Sequence, residues 1–267
     1  MKHAREGGPV RYRARVEYDG TEFAGFQAQP GRRTVQGEME RVLAYLTGRP
    51  AFRIKAAGRT DAGVHASGQV IAFTWHGGMD ATELGQAIGS LLPPDVAIGP
   101  LVRVALDFDP RRAATRREYR YSIWTGPRKP LRNRYRYELD ERLDVEAMHA
   151  AAQHLVGRHD FSAFGRVQRT SVRTIFGIRV RRQGHLVTID VAGDAFLRQM
   201  VRSIVAALIR IGMGRATAED LARELRSPGR AFAGAVVPAH GLCLRRVVIG
   251  PGKKKTTSST KEARQGP

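Results

Sequence analysis

The chain has 267 residues and a formal net charge of +20, with 45 Lys and Arg against 25 Asp and Glu. Its single cysteine, Cys243, rules out an intrachain disulfide and a cysteine-rich zinc site. The longest helical apolar run, Ile204 to Ile209, is broken by Arg210, and Met1 to Gly8 lacks the apolar core of a signal peptide. A soluble cytoplasmic protein is expected, long enough for one large domain or two modest ones. A strongly basic body points to a polyanionic partner, with nucleic acid first among them. A generally Arg-rich proteome would produce the same bias.

Val10 to Tyr18 alternates apolar residues with arginine and reads as a strand with a basic face. Asp19-Gly20 is a turn, and Phe23, Phe26 and Gln27 follow on a loop, where two aromatics are more often core than stacking platforms. Thr34 caps a helix that stripes Val35, Met39, Val42, Leu43 and Leu46 and stops at Gly48 and Pro50. A small-residue loop from Ala56 then leads into a buried strand, Val70 to Trp75. Asp80 and Glu83 form a capping box for a helix burying Leu84, Ala87, Ile88 and Leu91, ended by Pro93-Pro94. Leu101 to Leu106 reads as a strand.

Phe108 to Arg117 is a basic connection, and a boundary between two halves is placed there. Glu118 to Trp124 alternates, with Tyr119, Tyr121 and Ile123 on one face and Arg120 and Ser122 on the other. Asp144 caps a helix burying Met148, Ala151, Ala152 and Leu155, and Gly157 ends it. His159 to Phe164 reads as a loop. Ile175 to Arg182 and His185 to Val191 form a hairpin about Gln183-Gly184. Ala195 to Ile211 is the most apolar helix, with Met200, Val201, Ile204, Val205 and Leu208 inward and Arg198 and Arg202 on its other side. Thr217 and Asp220 open a short helix carrying Leu221 and Leu225, and Leu242 to Ile249 is a last strand. The expected architecture is α+β with a largely antiparallel sheet: halves at 1–107 and 108–250, and a disordered basic tail at 251–267.

The chemistry concentrates in Gly58-Arg59-Thr60-Asp61-Ala62-Gly63-Val64-His65. Glycines let a ligand approach the backbone, and a cation two residues from a carboxylate favours its charged form. Such an Asp is a nucleophile or a base; the bland alternative is a turn residue that caps its own backbone. No P-loop, metal-binding histidine pair or Gly-x-Ser-x-Gly elbow is present. His149, His154 and His159 read as surface or core residues. The arginines of 111–117 and of the apolar helix are the expected phosphate contacts.

This octapeptide, with Tyr18-Asp19-Gly20 upstream, resembles the signature of the TruA-type tRNA pseudouridine synthases, and the likeness spans about Val10 to Val248. It implies the pseudouridine synthase fold: two α+β halves sharing a mixed, largely antiparallel sheet around a basic cleft. By the same resemblance Asp61 is the catalytic aspartate, and Arg59 helps flip the target nucleotide and pairs with Asp61. Tyr119, in Arg117-Glu118-Tyr119-Arg120-Tyr121, stacks on the target base. Arg202 reaches the aspartate, and Leu244 walls the pocket. Taken locally, Tyr119 is an ordinary cross-strand aromatic, Arg202 a solvated helix residue and Leu244 plain core. The resemblance further implies a homodimer, without metal or other cofactor, that isomerises uridine at positions 38, 39 and 40 in the anticodon arm of tRNA. Two runs depart from the family pattern, Phe108-Asp109-Pro110-Arg111-Arg112 and Arg198-Gln199-Met200. A non-catalytic RNA-binding or RNA-folding protein is the competing function.

Overall fold

Alternating strands and well-capped helices build most of this molecule, a computed structural model that describes residues 8–49, 51–167, 170–226 and 235–250. The first half holds β1 (Val10–Tyr18), α1 (Val35–Thr47), β2 (Lys55–Ala56), β3 (His65–Trp75), α2 (Ala81–Leu91), β4 (Val96–Ile98) and β5 (Val102–Val104). The second holds α3 (Pro110–Ala113), β6 (Ala114–Trp124), β7 (Tyr137–Glu138), α4 (Val145–Ala152), β8 (Gly157–Asp160), β9 (Val172–Gln183), β10 (Leu186–Gly193), α5 (Met200–Gly212), α6 (Ala218–Arg226) and β11 (Leu242–Ile249). The strands make one 11-stranded sheet in the order β4-β1-β3-β11-β6-β10-β9-β8, with β2 on β3, β5 on β1 and β7 on β6. Among the described residues only β3–β11 and β6–β7 are parallel.

The helix ends follow their side chains. Thr34 accepts the Gly37 N–H at the start of α1, and Gly48 closes that helix at φ 65°. The capping box of Asp80 and Glu83 is formed. Asp144 accepts from Ala147 N–H to open α4. Leu91, expected inside, is exposed because α2 ends there and Leu92 takes the buried place.

Other expectations are corrected. The strand expected from Val70 begins at His65, so Gly68 lies inside it. Of Leu101 to Leu106 only Val102–Val104 is strand, and Val96–Ile98 is an added one. His159 belongs to an edge strand paired with β9, not to a loop. The helix expected from Ala195 starts at Met200. Gln199 sits at φ 67°, the only non-glycine with positive φ among the described residues, and Arg198 bridges to Arg166 instead of winding. The basic connection 108–117 is mostly ordered structure, α3 and the first residues of β6. Pro50 and the tail 251–267 lie outside the described residues.

Two buried clusters cover the sheet, and they exchange residues. Val64 packs into the cluster of α4, α5 and α6, whereas Leu244 and Val247 pack into that of α1 and α2. The exchange occurs where β11, the last strand, inserts beside β3, with Cys243 opposite His65 and Leu244 opposite Ala66. Beyond these pairs the β11 register slips between Leu244 and Arg246. A Cβ on Gly68 would overlap the Arg245 carbonyl there, so the close approach needs glycine.

A polar clasp holds the halves together at the other side of this junction. Asp19, in the turn after β1, accepts from Thr21 N (3.0 Å) and Thr21 Oγ1 (2.6 Å), and from Arg134 Nε (2.6 Å) and the Tyr135 hydroxyl (2.9 Å) of the second half. His65, 3.1 Å from Asp19, receives the Gly20 N–H at Nδ1 and lies 3.2 Å from the His240 carbonyl at Nε2. A carbonyl only accepts, so Nε2 carries a proton. Burial, opposed by Asp19, lowers the pKa of His65. Burial raises that of Asp19, but the Thr21, Tyr135 and Arg134 hydrogen bonds outweigh it and bring the carboxyl down to about 2.

Both shifts have the same sign in linkage. A depressed carboxyl stabilises the fold above its unfolded value near 4 and loses that contribution as pH falls toward about 2. His65, lowered from 6.5, begins to lose its contribution as pH drops below that value. Asp19→Asn is expected to cost about 1–2 kcal/mol near neutral pH and to flatten the stability profile between pH 4 and 2. Urea unfolding at a series of pH values measures both; an unchanged acid limb would place the sensitivity elsewhere.

Candidate active site

The segment between β2 and β3 has no regular structure, yet its backbone is tied down along its length. Ala57 N–H donates to Val70 O (2.8 Å), and Gln69 Nε2 donates to Gly58 O (3.1 Å). Phe26 N–H donates to Thr60 O (3.1 Å), the Tyr18 hydroxyl pairs with Thr60 Oγ1 (2.8 Å), and Gly63 N–H donates to Phe23 O (3.3 Å). Gly25, at φ 104°, brings its backbone against Thr60 to Ala62; a Cβ there would stand 3.0 Å from Thr60 O. The upstream motif is therefore the buttress of the loop. Phe23 and Phe26 are buried, serving as core rather than as stacking platforms.

At the apex of this fixed loop Asp61 is partly exposed and faces two cations. Arg198 Nε lies 3.7 Å from Oδ1 and Arg202 Nη1 lies 3.9 Å from Oδ2. Both distances are ion pairs longer than a hydrogen bond, so the carboxylate oxygens stay open to another donor. Arg202 is the better held of the two: its Nε donates to Val237 O at 2.7 Å. Arg198 is more exposed, on the turn before α5.

The expected partner of Asp61 was Arg59, and this is corrected. Arg59 is exposed and makes no ion pair with Asp61 among the described residues. The loop turns between the two side chains because Thr60 is the one drawn inward by Tyr18 and Phe26. Arg198, read as a helix residue contacting phosphate, takes that place. No local signal marked it, since the left-handed Gln199 that aims this turn is set by tertiary contact.

Tyr119 enters from β6. Its ring is half-buried and meets Phe196 edge-on, centroids 5.2 Å apart at 83°. Leu244, 1% exposed, is its cross-strand neighbour on β11. Burial pushes the Tyr119 hydroxyl up to about 12, the Arg117 charge opposes this and the Asp61 charge adds to it. The hydroxyl is thus a proton-bearing donor at neutral pH. The structure brings Asp61, Tyr119, Arg202 and Leu244 together, with Arg59 exposed on the same loop. Arg117, expected to touch phosphate, is instead buried. No group of three or more His, Cys, Asp or Glu among the described residues is placed to hold a metal ion.

A half-buried tyrosine, a carboxylate between arginines and a glycine-lined approach can bind a planar base and deliver an anion to it or to its sugar. The profile of a family described as tRNA pseudouridine synthase matches residues 14–111 and 151–248. The chain is 40% identical over 236 residues to the tRNA pseudouridine synthase A of Geobacter sulfurreducens, covering 87% of this chain and 96% of that one. Over 250 residues it is 40% identical to the protein of the same name from Halalkalibacterium halodurans, covering 92% and 95% of the two chains. With the Myxococcus xanthus protein of that name the identity is 40% over 261 residues, covering 96% and 98%. The Asp61 loop, Arg202 and Leu244 lie within the residues matched by the profile, Tyr119 falls between its two matched stretches, and the chain belongs to the tRNA pseudouridine synthase family.

Proposed function

We propose that this chain isomerises uridine to pseudouridine at positions 38, 39 and 40 in the anticodon arm of tRNA, with Asp61 as the reacting carboxylate. The reaction breaks the bond from ribose C1′ to uracil N1, turns the base and joins C5 to C1′. A proton leaves C5 and one is gained at N1, so no atom or electron is lost or gained overall. Family membership over nearly the full chain supports the reaction class. The placement of Asp61 is the observation that carries the residue assignment: one carboxylate, immobile backbone, two cations within 4 Å.

The other residues follow from where they stand. The target nucleotide must leave its stack to reach a carboxylate inside a cleft. Arg59, exposed on the same loop, fills the space that the nucleotide vacates or holds its phosphate. The Tyr119 ring, braced by Phe196, stacks on the base while it is detached, and Leu244 closes the wall behind it. Arg198 and Arg202 balance the Asp61 charge, which would otherwise repel the phosphates that flank the uridine.

The enzyme works in the cytoplasm as a twofold dimer, in which one tRNA touches both copies. Sedimentation at micromolar concentration checks the assembly: a dimer is expected, and monomer alone would overturn it.

Asp61→Asn keeps the size of the side chain and removes its charge. It is expected to fold, to bind tRNA at least as tightly as the parent and to form no pseudouridine. Release of tritium from C5-labelled uridine, with enzyme in excess over tRNA, is the assay. Turnover near the parent rate would remove Asp61 from the chemistry, whereas a parent protein that binds tRNA and releases no label would be a non-catalytic RNA binder. In the same assay Tyr119→Phe retains the stacking ring and most of the binding. Tyr119→Ala loses about 1–3 kcal/mol of base contact. Normal turnover in Tyr119→Ala would make the residue a structural aromatic.

A further inference from the structure

Arg117 has the most unusual environment of any cation described. It lies two residues before Tyr119 on β6, is 9% exposed and makes no ion pair among the described residues. Its guanidinium donates only to main-chain carbonyls. Nη2 reaches Ala57 O (2.8 Å) and Arg111 O (3.3 Å), whereas Nη1 reaches Ala114 O (3.2 Å) and Asp194 O. Burial lowers its pKa, and the charges of Tyr119 and Asp194 only partly offset the lost hydration. A charge held this way is costly, and the carbonyls it satisfies identify what is gained.

Two of those carbonyls begin the two segments that meet at Asp61. Ala57 precedes Gly58, and the Arg117 Nε lies 4.0 Å from where a Gly58 Cβ would be. Asp194 precedes the turn that carries Phe196, the brace of Tyr119, and Arg198, the partner of Asp61. Asp194 is itself pinned: it exchanges bonds with Thr174 of β9, and its carboxylate takes the Thr174 and Ala195 N–H groups. Arg117 therefore spans from the Asp61 loop to the Arg198 turn, with Tyr119 on its own strand. The planar fork suits this task, because its donors diverge in fixed directions, whereas a lysine offers one point.

We propose that Arg117 is a positioning residue that sets the mutual placement of Asp61, Tyr119 and Arg198 through the fork geometry of its guanidinium. It touches no substrate. The proposal rests on Asp61 being the reacting group only for its effect on rate; the placement itself is measurable without turnover.

Arg117→Lys keeps the charge and loses the fork. Hydrogen exchange read by mass spectrometry is expected to quicken by about tenfold or more in residues 57–64 and 194–199, with α1 and α4 unchanged. Single-turnover pseudouridine formation at saturating enzyme is expected to fall by about 100-fold, with the Kd for tRNA within about threefold of the parent. Arg117→Gln, neutral and still able to donate to one carbonyl, is the second variant and carries both measurements if the lysine form does not fold. It is expected to behave like the lysine form. Unchanged exchange in both segments would overturn the proposal, as would a loss confined to Kd. Full activity in Arg117→Lys beside a dead Arg117→Gln would overturn it too, by showing that charge and not shape is what matters. An inactive parent protein whose Arg117→Lys variant still loosens those two segments would count against the proposed function and leave the positioning role standing.

Discussion

The parallel contact of β3 with β11, two residue pairs long, is the constraint on which the rest depends. Parallel strands cannot be joined by a tight turn, so the last strand has to return across the second half to reach the first. That return brings Leu244 and Val247 into the core of the first half, while Val64 enters the core of the second. Neither cluster is complete without a residue from the other half. The loop carrying Asp61 runs into β3 at this junction, and Tyr119 lies opposite Leu244 across β11. A site assembled at such a seam inherits the rigidity of both cores. A one-residue slip would turn Leu244 away from the first-half core and Tyr119 away from Asp61 together.

Four arginines around the site show how one residue type is used in four ways. Arg117 is buried and serves carbonyls; Arg202 is tethered to Val237 O with its other end near Asp61. Arg198 is mostly exposed and reaches Asp61 from a turn, and Arg59 is exposed with no ion pair among the described residues. The first ties main-chain segments together, the next two lie beside a carboxylate, and the last has its guanidinium in solvent. Net charge of +20 says nothing about this division. It governs long-range attraction to a polyanion, and only burial and partners separate the roles.

What the sequence disclosed was what is decided locally. β1 and β11 have the bounds that alternation predicts, and α1, α2 and α4 start at the caps named from Thr34, Asp80 and Asp144. Asp61 stands out locally only by its glycine-flanked loop, whereas Tyr119, Arg202 and Leu244 are assigned by resemblance alone and nothing in their own neighbourhoods distinguishes them from strand, helix-surface and core residues. Ala195 to Gln199 was misread because its apolar content continues that of α5. The bond from Arg166 to Arg198 and the pinning of Asp194 on Thr174 keep it extended, and both partners are remote in sequence. The same cause hid Arg117. An arginine in a basic stretch reads as a phosphate contact, and only the fold reveals carbonyls gathered from residues 57, 111, 114 and 194 around it.

The site therefore combines an immobile backbone with loosely held charges. Backbone bonds from Phe23, Phe26 and Val70 and the Tyr18 hydroxyl leave the Asp61 loop few ways to move. The cations facing Asp61 are different: at 3.7 and 3.9 Å neither is hydrogen-bonded to it. A tightly paired bidentate arginine would hold both carboxylate oxygens and have to be broken before the carboxylate could attack. Charge balance without hydrogen bonding avoids that cost, because the attraction falls off slowly with distance while the lone pairs remain unoccupied. The carboxylate is thus fixed in position, compensated in charge and open at its oxygens, and these are the three conditions that a nucleophile or base facing a polyanionic substrate has to meet at once.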